Sequence, residues 1–292
     1  MDEFRIIDAH HHFWDLSNNR YPWLQEEPWL PFRYGDYGPI RRNYLPADFR
    51  RDGAGFNIVG SVHIEAESDP ENPTAETAWL TGLHERHGLP SACVAQAWLH
   101  HDDVETVLAA QAAYPLVRGI RHKPPEPEGF MGSDAWRRGY ALLSQYGLSF
   151  DLQTPWTRLG EALDLAHAFP ETQIILNHTG LPADRSTEGL AGWRQAMRLA
   201  ASAPNVAVKI SGIGVPGAAW TVDLNRGVVL DTIEIFGIDR CMFASNFPVD
   251  GIVAGYATIF GGFLEITKGF AREDQAKMFH DNAIRYYRLT VN

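Results

Sequence analysis

Eight short apolar runs, many of them β-branched, recur along this chain at 6–12, 57–66, 92–99, 117–122, 149–154, 173–179, 205–212 and 240–248. Each from the second to the seventh is followed by a stretch with apolar residues at three- and four-residue spacing. These stretches are 74–87, 104–113, 133–146, 158–168, 190–201 and 224–236. Runs such as Ile58-Val59-Gly60-Ser61-Val62 and Ile174-Ile175-Leu176 are nearly continuous apolar runs, the pattern of parallel strands covered on both faces. Phe169-Pro170 and Ala203-Pro204 end two of the helical stretches just before the next strand. Eight strand–helix units predict an α/β fold, a single (β/α)8 TIM barrel spanning 1–292. An open doubly wound sheet would want a glycine-rich phosphate loop after the first strand. Histidines stand there instead.

The chain reads Ile6-Ile7-Asp8-Ala9-His10-His11-His12-Phe13-Trp14-Asp15. On a strand, His10 and His12 point one way and His11 the other. Two imidazoles on one face at a strand end are half of a divalent metal site, and an expression tag does not usually sit inside such a run. In a barrel the C-terminal strand ends share one face, and catalytic groups come from several of them. Those ends supply His63 and Glu65, then Gln96, Trp98 and His100, then Arg121 and His122, then Asp151 and Gln153. Asn177 and His178, Lys209 and Ser211, and Ser245 and Asn246 complete the set. Lys209 is evenly balanced between a substrate contact and an ion pair with Glu65 or Asp151. Asp8 reads as structural, and His63, His84, His87, His100, His101, His167 and His280 lack convergent partners. The loop at 17–45, rich in aromatic residues and proline and including Tyr21, Trp23, Trp29, Phe32, Tyr34 and Tyr37, is expected to lie across the barrel mouth as a lid. The alternative is a flap on the outside of the barrel. The segment 273–289 is expected to be a helix packed on the scaffold.

Composition excludes several classes. With 45% hydrophobic and 21% charged residues the chain is an ordinary globular sequence, and no apolar run reaches membrane-spanning length. A net charge of −11 without a Lys/Arg run argues against a nucleic-acid surface. Cys93 and Cys241 each sit in an apolar run and read as buried thiols. With no secretory signal at the start, a cytoplasmic location is expected. A homodimer is left open.

The motifs Ile7-Asp8-Ala9-His10-His11-His12-Phe13-Trp14-Asp15, Gly119-Ile120-Arg121-His122, Asn177-His178-Thr179-Gly180 and Met242-Phe243-Ala244-Ser245-Asn246-Phe247-Pro248 come in the order seen in the amidohydrolase superfamily. The whole chain resembles its amidohydrolase-related branch of sugar-lactone and pyrone-dicarboxylate lactonases, the L-fuconolactonase-like proteins. That resemblance implies a barrel that hydrolyses small sugar-acid lactones or related cyclic esters. It implies a histidine pair on strand one (His10, His12), a histidine on strand six (His178) and a substrate-binding arginine on strand four (Arg121). Some members of the branch hold zinc or a similar ion and others work without metal. One position departs from the branch. Where it carries Ser-Asp-Trp-Pro, this chain has Ser245-Asn246-Phe247-Pro248, and an amide cannot take a proton from water near neutral pH.

The expectation is therefore a lactone hydrolase. His10, His12 and His178 would hold a divalent metal, zinc foremost, with Glu65 as a further ligand or orienting group; a metal-free mechanism stays open. His178, Asn246 and Glu65 are the catalytic candidates, with Asp151 as another base candidate. Arg121, His122, Lys209, Gln153 and Trp23 are the candidates for holding a small lactone or sugar acid. The alternatives are a lactone isomerase or decarboxylase of the same fold, or a sugar-acid binder without activity.

Overall fold

The computed structural model describes residues 4–290. Its eight strands are β1 (Arg5–His11), β2 (Asn57–Ile64), β3 (Ala92–Gln96), β4 (Val117–Arg121), β5 (Ser149–Leu152), β6 (Ile174–Leu176), β7 (Val206–Ile210) and β8 (Cys241–Phe243). They lie in one sheet in sequence order, and every neighbouring pair is parallel. The seam between β8 and β1 is closed just beyond the strand ends. Asn246 N–H donates to the His10 carbonyl at 2.7 Å, His12 N–H donates to the Phe247 carbonyl at 2.7 Å, and the Asp8 carboxylate accepts from Ser245 N–H at 2.9 Å. This is the expected (β/α)8 barrel.

The helical stretches form as Ala75–His87, Val104–Ala112, Asp134–Gln145, Leu159–Ala168, Thr187–Ala201 and Val222–Phe236. The last strand, for which the apolar spacing predicts no helix, is followed by one as well, Tyr256–Thr267. That helix contains Gly261-Gly262, a pair that disfavours a helix. Gly262 is needed there, because a Cβ would stand 2.2 Å from the Trp220 ring. Gly139 plays a similar part, letting its helix approach the Leu99 carbonyl. The C-terminal segment is helical as expected, in three pieces: Arg272–Ala276, a π-helical stretch Lys277–Asp281, and Asn282–Tyr287.

Apolar residues form two layers. The larger lies between sheet and helices; the smaller fills the barrel with Ile7, Ala9, Val62, Ile64, Ile175 and Met242 and is closed by Tyr286, Tyr287 and Leu289. Cys93 and Cys241 are buried free thiols, as their surroundings predicted. Among the described residues no helix is long and apolar enough to cross a membrane.

Candidate active site

The strands stop earlier than the apolar runs suggested, and the residues just past their ends build the mouth. On β1, Ile7 and Ala9 belong to the barrel interior, so strict alternation would send His11 inward after them. A register shift between Asp8 and His11 reverses the phase. His11 packs on Phe13 and Phe49 and bonds Ser61 Oγ at 2.9 Å, while His10 and His12 turn toward His178. The His10 ring lies 5.1 Å from that of His12 and 4.5 Å from that of His178, centroid to centroid. His178 and Thr179 leave β6 with φ of 56° and 50°, and Asn246 has φ 56°. Left-handed backbone at three non-glycine residues, one of them β-branched, stores strain at this mouth. Gly212 makes room for the arrangement, since a Cβ would meet His178 Nδ1 at 2.5 Å.

Hydrogen bonds orient two of the rings. His12 Nδ1 donates to the Ile64 carbonyl at 2.7 Å, which leaves Nε2 as a lone pair. His178 Nδ1 pairs with Ser211 Oγ at 2.9 Å. Neither nitrogen of buried His10 has a partner among the described residues. All three rings are held well below the ordinary histidine value. Burial is the main cause, reinforced at His10 by Lys209, at His12 by Arg121 and at His178 by Arg33 and Arg121. They are neutral at pH 7, the form that binds metals or accepts a proton. Three neutral imidazoles, one ring of them otherwise unsatisfied, are nitrogen donors of the kind divalent metals take. No carboxylate completes the set. Among the described residues no group of three or more His, Cys, Asp or Glu side chains is arranged to hold a metal ion.

A cavity of about 280 Å³ opens beside these rings, lined by His12, His178, Asn246, Arg121, Gln153 and Lys123. The 17–45 loop covers it as a lid, contributing Trp23, Phe32 and Arg33 among others. Trp23 Nε1 donates to the Ala66 carbonyl at 2.8 Å, and its ring stacks on Phe32 at 5.9 Å. Buried Asp250 ties the lid down, accepting from Tyr34 OH at 3.1 Å and from Arg33 Nη2 at 3.3 Å. Asn246 Nδ2 donates to the same oxygen at 2.7 Å. Burial raises the Asp250 carboxyl, opposed by Arg33.

Several expected residues stand elsewhere. Lys209 is fully buried in an ion pair with Asp151 at 2.5 Å, and Tyr287 OH and Asn177 Nδ2 donate to the same carboxylate. It does not line the cavity, so the ion-pair alternative replaces the substrate contact, and Asp151 is spent as a base. The barrel interior explains this: a charge pointing inward on β7 below the mouth needs a counter-charge on a facing strand. Glu65 does not line the cavity either. It accepts from Arg121 Nε at 2.5 Å and from Glu67 N–H at 2.7 Å, so it fixes the arginine and leaves the imidazoles without a carboxylate. Arg121 also donates to the Glu65 carbonyl and, at 3.0 Å, to Gln153 Oε1. His122 stacks on Trp136 at 4.3 Å with Nδ1 accepting from Leu99 N–H; it borders a neighbouring chamber. Arg33, Lys123 and Asp250 were missed. Arg33 is one of four arginines in the 17–45 loop with nothing in sequence to distinguish it. Asp250 lies four residues past Asn246, and the turn between them, Asp250 N–H to the Asn246 carbonyl at 3.0 Å, brings it back.

Comparison with known proteins bears on this mouth. The uncharacterized protein y4mH of Sinorhizobium fredii is 42% identical over 99% of this chain and 100% of its own length. An L-fucono-1,5-lactonase of Burkholderia multivorans is 27% identical over 86% of this chain and 84% of its own. An amidohydrolase of Burkholderia multivorans crystallised with bound zinc shares the fold, with a TM-score of 0.83 and 24% identity over 98% of this chain and 99% of that one. The amidohydrolase family model matches residues 7–289, and the chain belongs to that enzyme family.

Proposed function

We propose that this enzyme opens a small sugar-acid lactone by attack of water on the ring carbonyl. The observation that carries the reading is the set of neutral imidazoles beside an arginine-walled cavity of single-ring size, just under the roughly 300–1,000 Å³ usual for ligand pockets. Lactonase relatives support it.

His178 is the best-placed proton acceptor. Its ring is neutral, borders the cavity and is oriented by Ser211, whereas Glu65 and Asp151 are occupied by cations. As the water oxygen bonds to the carbonyl carbon, its proton passes to His178. The ring C–O bond then breaks, and the same proton goes to the leaving alkoxide, giving a hydroxy acid. Asn246 has one N–H committed to Asp250; its carbonyl oxygen and second N–H remain to hold the water. Arg121, fixed by Glu65 and Gln153, and Arg33 on the lid hold the anionic or hydroxylated edge of the substrate. Where a divalent ion such as zinc is bound, His10 and His12 would hold it and it would polarise the carbonyl and acidify water, while His178 keeps its remaining nitrogen for the proton.

A screen of sugar-acid lactones in heavy-oxygen water, with and without chelator, tests the proposal. Hydrolysis places solvent oxygen in the product carboxylate. Turnover without incorporation would point to isomerisation, and no turnover at millimolar lactone would defeat the reading.

A further inference from the structure

A second chamber of about 470 Å³ lies behind Arg121 and Lys123, sharing those two residues, Trp23, Leu30 and Glu67 with the first cavity. Its wall contains polar groups for which the protein has no use. Gln96, 5% exposed at the end of β3, has neither its amide oxygen nor its amide nitrogen paired among the described residues. Ser68 Oγ, on a residue 4% exposed, and His100 Nδ1 are likewise unpartnered. Buried polar atoms almost always find a partner, so four around one chamber mark a ligand position. The Gln96 backbone carbonyl, by contrast, is satisfied by Gln111 Nε2 at 2.9 Å.

The chemistry of the wall selects the ligand. On this side its two cations face carboxylates that line the same chamber, Arg121 with Glu65 and Lys123 with Glu67, so the wall carries no net charge to draw an anion. What remains is neutral: an amide that donates and accepts, a hydroxyl that does both, and an imidazole. Trp23 and Trp98 add apolar ring surface to the wall. Neighbouring hydroxyls on a compact ring or chain match donors and acceptors mixed in this way.

We propose that this chamber is a second subsite, taking a neutral glycosyl or polyol group attached to the lactone whose ring is opened in the first cavity. The inference rests on the lactone reading for the first cavity. The preferred substrate is then a lactone carrying a further sugar-like unit.

Isothermal titration with lactobionic acid, which bears a galactosyl unit, and with gluconic acid, which does not, tests this on the intact enzyme; hydrolysis of the two lactones runs in parallel. Two hydrogen bonds recovered from unpaired groups predict about tenfold tighter binding of lactobionic acid. Gln96→Leu should abolish most of that ratio without lowering Tm, because the amide has no partner in the protein to lose. Ser68→Ala should reduce the ratio in part. Equal affinities, or a preference that survives Gln96→Leu, overturn the subsite, as does a large fall in Tm in that variant. Turnover of gluconolactone with no preference for the extended lactone overturns the subsite alone. Failure to bind either acid or open either lactone overturns the lactone reading with it.

Discussion

Replacing Asn246 by aspartate tests the role of Asp250 directly. In the native chain Asn246 Nδ2 donates to Asp250 Oδ1 at 2.7 Å, on a residue 1% exposed that also carries Tyr34 and Arg33. Asn246→Asp turns that donor into a second carboxylate. With charge centres about 4 Å apart and an effective dielectric of about 20, two ionised groups there repel by about 4 kcal/mol. The chain can avoid this by keeping one proton on the pair. Holding a proton on a carboxyl of ordinary value costs about 1.5 kcal/mol at pH 5 and grows with pH until repulsion becomes the cheaper state. The substitution should therefore destabilise by about 1.5 kcal/mol at pH 5 and about 4 kcal/mol at pH 8. Urea unfolding of both proteins at the two pH values reads this difference. Combining it with Asp250→Asn restores one donor facing one carboxylate and should recover most of the loss. A destabilisation independent of pH, or a double variant no more stable than the single one, would refute the reasoning.

Three further expectations concern the lid, a buried acid and a helix contact. Arg33→Ala removes the lid's cation from the cavity and from Asp250, and should raise KM for an acidic lactone about tenfold with a smaller change in kcat; steady-state kinetics check the split. Glu76, wholly buried, is pushed up to about 8 by burial, so its contribution to stability is present below its ordinary value near 4.5 and is lost as pH rises through about 8. Glu76→Gln should thus gain a few kcal/mol on the native protein between pH 5 and pH 8, and a gap that stays constant in unfolding titrations would contradict this assignment. Gly139→Ala puts a Cβ 1.9 Å from the Leu99 carbonyl and should destabilise by about 2–4 kcal/mol, read as a fall in Tm.

The barrel was legible because strands buried on both faces leave nearly unbroken apolar runs, and those are hard to mistake. Helix Tyr256–Thr267 was not, because its Gly261-Gly262 answers to the Trp220 ring, a contact with no trace in local sequence. At the mouth, spacing was enough to find His10, His12, His178, Arg121 and Asn246. It could not show which charges were already matched. Lys209 and Asp151 sit on β7 and β5, and Glu65 lies beyond β2 against Arg121 at the end of β4; only the barrel's closure reveals that each has a partner. Asp250 escaped notice because its part depends on a turn and on a lid that arrives from more than two hundred positions away.

The seam between first and last strands also governs when the site can exist. Asp8 and Ser245 are 237 positions apart, and the contacts joining their segments hold His10, His12 and Asn246 at the mouth. During synthesis the histidines stay without their framework until the segment around Ser245, more than two hundred positions on, has followed. Contacts of such long sequence separation form late and slowly. Binding competence is therefore among the last properties acquired in folding, after most of the sheet has formed.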